Sequence, residues 1–434
     1  MSDIKIHVEH LTRVEGHGNI VFNTRNGAVE HVQWQVSEAP RFFESFVRGR
    51  PWHQLSHITS RICGICSIGH ALASLKATEA AFGVQISEQT GILRRLAMHA
   101  ENLQSHILHV GYLVAPDLLG AGSVLPLVRS HPDAVRTIIR LHRMANEMSD
   151  LLCGRTTHPI TFIPGGFSAI PTGRQLKEIR QRLLDAVPLA TDVAQLVLDN
   201  ACALPAFIRE TEYIALSADG EYAMYDGVII GSTDTGRHAV ADYESIVNEF
   251  VVPYSTAKFT RHHRDSYMVG ALARFNLGCH LLRPMARQWA ERFGLQAVCH
   301  NPFMNNVAQM VEFVHSLEDA VFLIDELLGK GLDPGETPAR VRVKAGRGIG
   351  AVEVPRGLLI HDYAFDDDGL CIKANCVIPT NQNHHNINRD LAAFAPTLLQ
   401  KPKADIERNL EMLVRAYDPC ISCSTHYLTV RFVQ

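Results

Sequence analysis

Two cysteine pairs lie near opposite ends of the chain: Cys63 and Cys66 in Arg61-x-Cys63-Gly64-x-Cys66-x-x-x-His70, and Cys420 and Cys423 in Asp418-Pro419-Cys420-x-x-Cys423-x-x-His426. A Cys-x-x-Cys segment turns two soft sulfur donors toward one metal. Two such pairs meeting in a fold supply the four thiolates of a closed tetrahedral zinc or of a redox centre. Zinc ribbons place their second pair roughly fifteen to twenty residues after the first. Here nearly the whole chain intervenes, so the site closes only when the entire chain folds, which a local staple does not require. Each pair also has a charged residue upstream and a histidine downstream. Such neighbours orient thiolates, tune their basicity and move protons, which a catalytic metal needs and a structural zinc does not.

These two motifs, in this order and at these positions, resemble the large subunit of nickel-iron hydrogenases. Three further segments extend the resemblance: Leu11-Thr12-Arg13-Val14-Glu15-Gly16-His17-Gly18, Ala39-Pro40-Arg41-Phe42-Phe43-Glu44-Ser45 and Glu353-Val354-Pro355-Arg356-Gly357. Together they span almost the full length. The resemblance implies a catalytic subunit that reversibly splits dihydrogen into protons and electrons and passes the electrons to a small iron-sulfur partner. The Ala39 to Glu44 segment and the surroundings of Cys63 and Cys66 are most similar to the cytoplasmic, multimeric group that includes sulfhydrogenases and heterodisulfide-reductase-linked enzymes. That implies further electron-transfer subunits carrying flavin or iron-sulfur clusters.

The resemblance also implies residue roles. Cys66 and Cys423 bridge nickel and iron, Cys63 and Cys420 bind nickel terminally, and carbon monoxide and cyanide complete the iron. Dihydrogen is nonpolar and a very weak acid, so its heterolysis needs a Lewis-acidic metal with a base beside it. Cys420 takes the proton and Glu15 hands it toward solvent. Arg356 overhangs the metals as a fixed guanidinium, Asp418 holds Arg356, and Pro355 belongs to the same cofactor-facing motif. Thr380 donates to a cyanide, and His70 hydrogen-bonds a bridging sulfur. Glu44 and His426, with a backbone carbonyl near Cys376, hold a hard divalent ion, for which oxygen-rich coordination suits magnesium. Without the resemblance, Glu15 reads as a turn or surface charge, Arg356 as a solvated arginine and Thr380 as a capped strand end. Asp418-Pro419 then reads as a turn, and Glu44 and His426 as surface residues. Where some members carry an aspartate near the site, this chain has Gln104-Ser105-His106, which changes the hydrogen bonding expected around Arg356.

The elements that must position these residues give an α+β, mostly α fold: a central bundle of long helices with small peripheral antiparallel sheets. Residues 1–54 read as strands at 5–8, 19–24 and around Val32, Trp34 and Val36, with Asn26-Gly27 as the hairpin turn. Residues 55–330 read as helical. Leu96, Ala100, Leu103, Ile107, Val110 and Val114 form one apolar stripe, which Pro116 ends. Val135 to Leu152, Leu176 to Val187 and Val307 to Leu328 give others. Residues 331–400 return to alternation at Val341, Val343, Val352, 358–364 and 370–374, and 381–388 reads as a polar loop. Gly346-Arg347-Gly348-Ile349-Gly350 precedes a strand and is not a dinucleotide fingerprint. Residues 401–434 supply a last helix, the second cysteine pair and a tail, 427–434, expected to be retained. No repeat or linker divides the chain, so a single intertwined unit is expected.

Composition narrows the class. The 434 residues are 46% hydrophobic and 20% charged with net charge -4, a globular balance without the basic runs of nucleic-acid or anionic-surface binders. No apolar stretch approaches the roughly twenty residues of a bilayer span, so no direct membrane insertion is expected. The N-terminus lacks a secretory pattern, giving a cytoplasmic expectation. Of ten cysteines, the six outside the pairs show no cluster spacing and read as small buried hydrophobes. Electrons must therefore leave through another chain. Two alternatives compete: a structural four-cysteine metal protein, and a complex I-like quinone-binding subunit, a class that has generally lost these cysteines.

Overall fold

A computed structural model describes residues 4–425. Its first sheet follows from alternation. Strands Lys5–Val8, Gly18–Arg25 and Ala28–Val36 pair antiparallel in sequence order, burying Ile20, Phe22, Trp34 and Val36. Asn26 and Gly27 both take positive φ, 53° and 78°, as a two-residue hairpin turn requires. The loop between the first two strands carries Glu15. Its backbone forms an isolated parallel bridge with Cys420, and the Ile421 N–H donates to the Glu15 carbonyl at 2.9 Å.

Four long helices, Glu88–Leu108, Pro132–Cys153, Gly173–Asn200 and Asn305–Lys330, pack in a closed cycle, each against two of the others. Their ends match local chemistry. Ser87 Oγ accepts the Thr90 N–H, Thr172 and Gln175 form a reciprocal capping box, and Gly154 closes its helix in the left-handed region, satisfying end groups that would otherwise be orphaned. Pro116 does not end the first helix. The chain continues through a π turn, His109–Val114, and Pro116 sits in the first turn of Ala115–Leu118, where its lost N–H costs nothing.

The stretch 55–330 is not helical throughout. Strands Glu212–Ser217, Ile229–Ser232, Gly236–Ala239 and Tyr267–Met268 form a four-stranded sheet, and Asn248–Phe250 pairs with Phe259–Arg261. Residues 212–216 are buried without interruption, so both faces are covered and no period-2 signal remains to be read.

The last sheet, Gly346–Val354, Gly357–Phe365 and Cys371–Val377, lies on helix Ser67–Phe82. Val341 and Val343 fall outside it. The glycine triplet explains the contact. A Cβ at Gly346, Gly348 or Gly350 would collide with the backbone of Ala81, Ala77 or Ala73 in turn. Alternate strand residues thus meet alanines one helical turn apart, and only glycine allows so close an approach. Because strand and helix run antiparallel, the strand ends near the helix start and delivers Arg356 to the neighbourhood of Cys66. The expected polar loop at 381–388 is instead part of helix Pro379–Phe394. Most of its polar side chains are buried, and two tie the helix to strands: Gln382 donates to the Leu358 carbonyl at 2.6 Å, and Asn383 both accepts from and donates to the Val269 backbone. No described helix is long and apolar enough to cross a membrane.

Candidate metal centre

Cys63 follows a single 3-10 turn, and Cys66 immediately precedes helix Ser67–Phe82. Cys420 immediately precedes a one-turn helix, Ile421–Ser424, and Cys423 lies within it. The four sulfurs lie within 4.8 Å of one another, all buried. Cys63 and Cys420 are 3.4 Å apart, Cys66 and Cys423 3.8 Å, and Cys420 and Cys423 2.7 Å. Among the described residues this is the one cluster of histidine, cysteine and acidic groups arranged for a metal.

Four buried thiols so close cannot all ionise without a cation among them. Burial lifts Cys420 and Cys423 well above an ordinary thiol. At Cys66, hydrogen bonds from Cys420 and Cys423 pull down, while Cys63 and burial push up, leaving it at about 11. Burial opposes ionisation at Cys63 too, but hydrogen bonds from the other three cysteines and the Arg356 charge overcome it, and its pKa falls well below the usual value. Loading soft metals here releases protons and neutralises the crowded sulfurs. The donor set fits a nickel-iron pair.

Glu15 reaches this cluster directly. Cys420 Sγ donates to Glu15 Oε2 at 3.1 Å, the Ser422 N–H donates to the same oxygen at 3.1 Å, and the Ser422 hydroxyl donates to Oε1. A carboxylate in hydrogen-bond contact with a metal-site sulfur can take its proton in one step.

Arg356 is 2% exposed. It donates to Asp418 Oδ1 at 2.7 Å and to Ser105 Oγ at 3.2 Å, while its Nε is buried without a protein partner. Burial works against the guanidinium, and Asp418 with the nearby sulfurs more than offsets it, so it stays charged. Asp418 takes a left-handed φ of 49°, a strained choice for a non-glycine residue. Gln309 donates to its second oxygen at 3.0 Å.

Thr380 Oγ1 accepts the Cys420 N–H at 3.1 Å, which leaves the hydroxyl hydrogen to donate elsewhere. Pro355 is buried beside Arg356, and its carbonyl accepts from Arg274 at 3.0 Å. His70 makes no contact with a sulfur through Nδ1. That nitrogen meets His361 Nε2 at 3.2 Å, His361 Nδ1 meets the Tyr363 hydroxyl at 2.6 Å, and His70 Nε2 is buried without a protein partner. Burial pushes the His70 imidazole down to about 4, so the ring is neutral.

Glu44 and Cys376 come together, since Glu44 Oε1 accepts the Cys376 N–H at 3.0 Å, but Lys258 Nζ stands 3.4 Å from the same oxygen. His426 and the tail 427–434 lie outside the described residues. Of the other cysteines, Cys153, Cys371 and Cys376 are buried, Cys279 and Cys299 are half-buried and Cys202 is exposed.

Sequence reasoning missed Gln309, His361 and Ser422, whereas Ser105, which accepts from Arg356, lies in the Gln104-Ser105-His106 segment expected to alter the hydrogen bonding around that arginine. It also missed Glu101, whose Oε2 accepts the Ile68 and Gly69 N–H groups at the start of helix Ser67–Phe82 and whose burial lifts its carboxyl to about 8. One signal was available. Polar residues recur at helical spacing on helices whose apolar stripes alone were counted.

A family model for nickel-dependent hydrogenases matches residues 41–131 and 234–426, more than half the chain. The alpha subunit of sulfhydrogenase 2 from Pyrococcus furiosus is 31% identical over 424 residues, covering 98% of this chain and 99% of that one. The alpha subunit of sulfhydrogenase 1 from the same organism is 31% identical over 426 residues, 98% of each. The solved structure of an NAD+-reducing nickel-iron hydrogenase in the H2-reduced state aligns with a TM-score of 0.87 at 28% identity, covering 98% of this chain and 100% of that chain. The chain belongs to the nickel-dependent hydrogenase family. It is the catalytic large subunit of a nickel-iron hydrogenase, an oxidoreductase acting on dihydrogen. Neither the structural four-cysteine nor the quinone-binding alternative is favoured.

Proposed function

We propose that Cys63, Cys66, Cys420 and Cys423 hold the nickel-iron centre, with Cys420 and Glu15 as the proton-handling pair. The observation that carries this reading is the 3.1 Å contact from Cys420 Sγ to Glu15 Oε2 inside a four-sulfur cluster. When bound, the centre supplies the Lewis acidity that polarises dihydrogen. The chain supplies the rest. Cys420 Sγ receives the proton, Glu15 Oε2 takes it on, and Ser422 holds the carboxylate in line through its N–H and hydroxyl. Arg356, fixed by Asp418 and Ser105, presents charge to the same space, where electrostatic preorganisation acts strongly because water is excluded.

The reading extends to carbon monoxide and cyanide on the iron. The unpartnered Arg356 Nε and the spare hydroxyl hydrogen of Thr380 are donors suited to such ligands, and Pro355 lines the space beside them. His70 Nε2 is the ring atom available to a bridging sulfur. The electrons pass to a small iron-sulfur subunit docked at the first cysteine loop, where Arg61 and Gly64 are exposed while the sulfurs are not. Further flavin or iron-sulfur subunits and a cytoplasmic setting complete the reading; the alpha-subunit names of the sulfhydrogenase relatives support the presence of other subunits. The divalent ion expected at Glu44, Cys376 and His426 must contend with Lys258.

Nickel and iron counted per chain, together with dihydrogen-dependent dye reduction, test the assignment. Glu15→Gln is expected to keep both metals and lose turnover. Zinc alone in active-site stoichiometry would contradict it.

A further inference from the structure

Lys258 stands one residue ahead of strand Phe259–Arg261, is 8% exposed and points its ammonium into a cluster of oxygens. Nζ lies 3.0 Å from Glu249 Oε2, 3.4 Å from Glu44 Oε1 and 3.5 Å from Asn375 Oδ1. Three elements distant in sequence meet on it: helix Phe43–Val47, the Asn248–Phe250 and Phe259–Arg261 pair, and strand Cys371–Val377. Burial works against the ammonium, and Glu249 and Glu44 outweigh it, so its pKa lies above that of an ordinary lysine.

This arrangement does not fit magnesium. A hard dication requires near-octahedral oxygen coordination and several retained waters. Here the carboxylate oxygen meant for it is shared between the Cys376 N–H and the ammonium. The cluster holds two carboxylates, a carboxamide oxygen and one resident positive charge. Adding a dication at the same oxygens would set it against a buried ammonium, a repulsion that protein surroundings screen poorly.

We propose that Lys258 is the built-in cation of the Glu44, Glu249 and Asn375 cluster and that this cluster takes no divalent metal. The lysine ties the Glu44 helix to the strand bearing Cys376 by a covalently supplied charge, so the junction does not depend on free magnesium. The inference concerns residues separate from the four sulfurs, and the nickel content of the same sample reports independently on that reading.

The test uses the holoenzyme, purified in magnesium-containing buffer, gel-filtered into metal-free buffer and analysed for all metals per chain. Thermal unfolding is then followed in EDTA and in millimolar magnesium. The expected result is nickel with its iron, no stoichiometric magnesium, calcium or manganese, and the same Tm in both buffers. Lys258→Met keeps the apolar stem and removes the charge. It is expected to acquire magnesium and to gain roughly 3 °C or more on adding it, whereas Lys258→Arg stays indifferent. A wild-type enzyme holding stoichiometric magnesium, or losing Tm in EDTA while keeping nickel, overturns the proposal. A folded Lys258→Met that takes up no magnesium also overturns it. Should that variant fail to fold, the wild-type metal count and EDTA response decide alone.

Discussion

Around the four sulfurs the buried polar groups converge on one point, whereas between helices Glu88–Leu108 and Asn305–Lys330 they pair off along a line. In the second region His99 meets Asp319 at 2.7 Å, Asn102 meets Ser316 at 2.9 Å and His106 meets Glu312 at 2.8 Å. One step beyond the first helix, in its π turn, His109 meets Gln309 at 2.5 Å. Positions rise on one helix as they fall on the other, as antiparallel packing requires. The residue types are much the same as at the metal site, but the arrangement differs. Rungs favour one register of the two helices, because a one-turn slip would exchange matched partners, setting His99 against Ser316 and Asn102 against Glu312, and would leave a group at each end unpaired. Both regions keep buried atoms without a protein partner, Arg356 Nε and His70 Nε2 in the first and His99 Nδ1, Asn102 Oδ1 and His106 Nδ1 in the second, and what sets the first apart is its cluster of four sulfurs. The regions join at Gln309, which closes the last rung and also donates to Asp418, so the ladder sets the aspartate that holds Arg356.

Breaking the point should cost activity, and breaking the line should cost stability. The largest effect is expected at the sulfur cluster. Cys423→Ala should abolish turnover together with nickel and iron, whereas Glu15→Gln should lower dihydrogen turnover about 100-fold or more with metals retained. Steady-state dye reduction beside metal analysis separates the two. Next comes Glu312→Leu, which strips Arg274 and His106 of a buried partner and should cost about 3–5 kcal/mol, measured by denaturant unfolding.

Titration sharpens the contrast. Arg274 donates to Glu312 and Glu353 alike, yet the two carboxylates divide. At Glu312 burial is overcome by Arg274 and His106, and the carboxyl stays ionised. At Glu353 burial prevails over Arg274 and lifts the carboxyl to about 7. The folded chain therefore binds more protons at this site than the unfolded chain does. That contribution is fully present below the unfolded carboxylate pKa and is lost as pH rises to about 7, a loss of about 3 kcal/mol. Glu353→Gln should flatten this part of the stability-pH curve, while an unchanged slope would remove Glu353 as its source. The smallest effects belong to neutral contacts. Asn102→Leu or Ser316→Ala alone should each cost about 1–2 kcal/mol and the double change less than their sum. Ser105→Ala should cost about 1 kcal/mol, with Asp418 still holding Arg356.

What the sequence disclosed follows the same division. Convergent chemistry sits in short motifs, so Cys63, Cys66, Cys420, Cys423, Glu15, Arg356 and Asp418 could all be named before the fold was known, as could the hairpin at Asn26-Gly27 and the long apolar stripes. The rungs could not be named. Their members recur at helical spacing, but each partner is some two hundred positions away, where no local period registers the pairing. The buried strand 212–216 lost its alternation to burial on both faces. The helix at 381–388 hid behind polar side chains, several of which bond to buried backbone or to other buried side chains. Lys258 has no motif at all, and only the folded chain sets it against Glu44.

The central claim is that sulfurs from the two ends of the chain share one nickel-iron centre. Nickel X-ray absorption on the purified holoenzyme tests it most directly, compared with Cys63→Ser and Cys420→Ser variants. The account predicts a sulfur-dominated nickel environment with iron as a near neighbour, and loss of sulfur ligation or of nickel in either variant. Nickel surrounded by nitrogen and oxygen, or a sulfur environment unchanged when Cys420 is replaced, would contradict it.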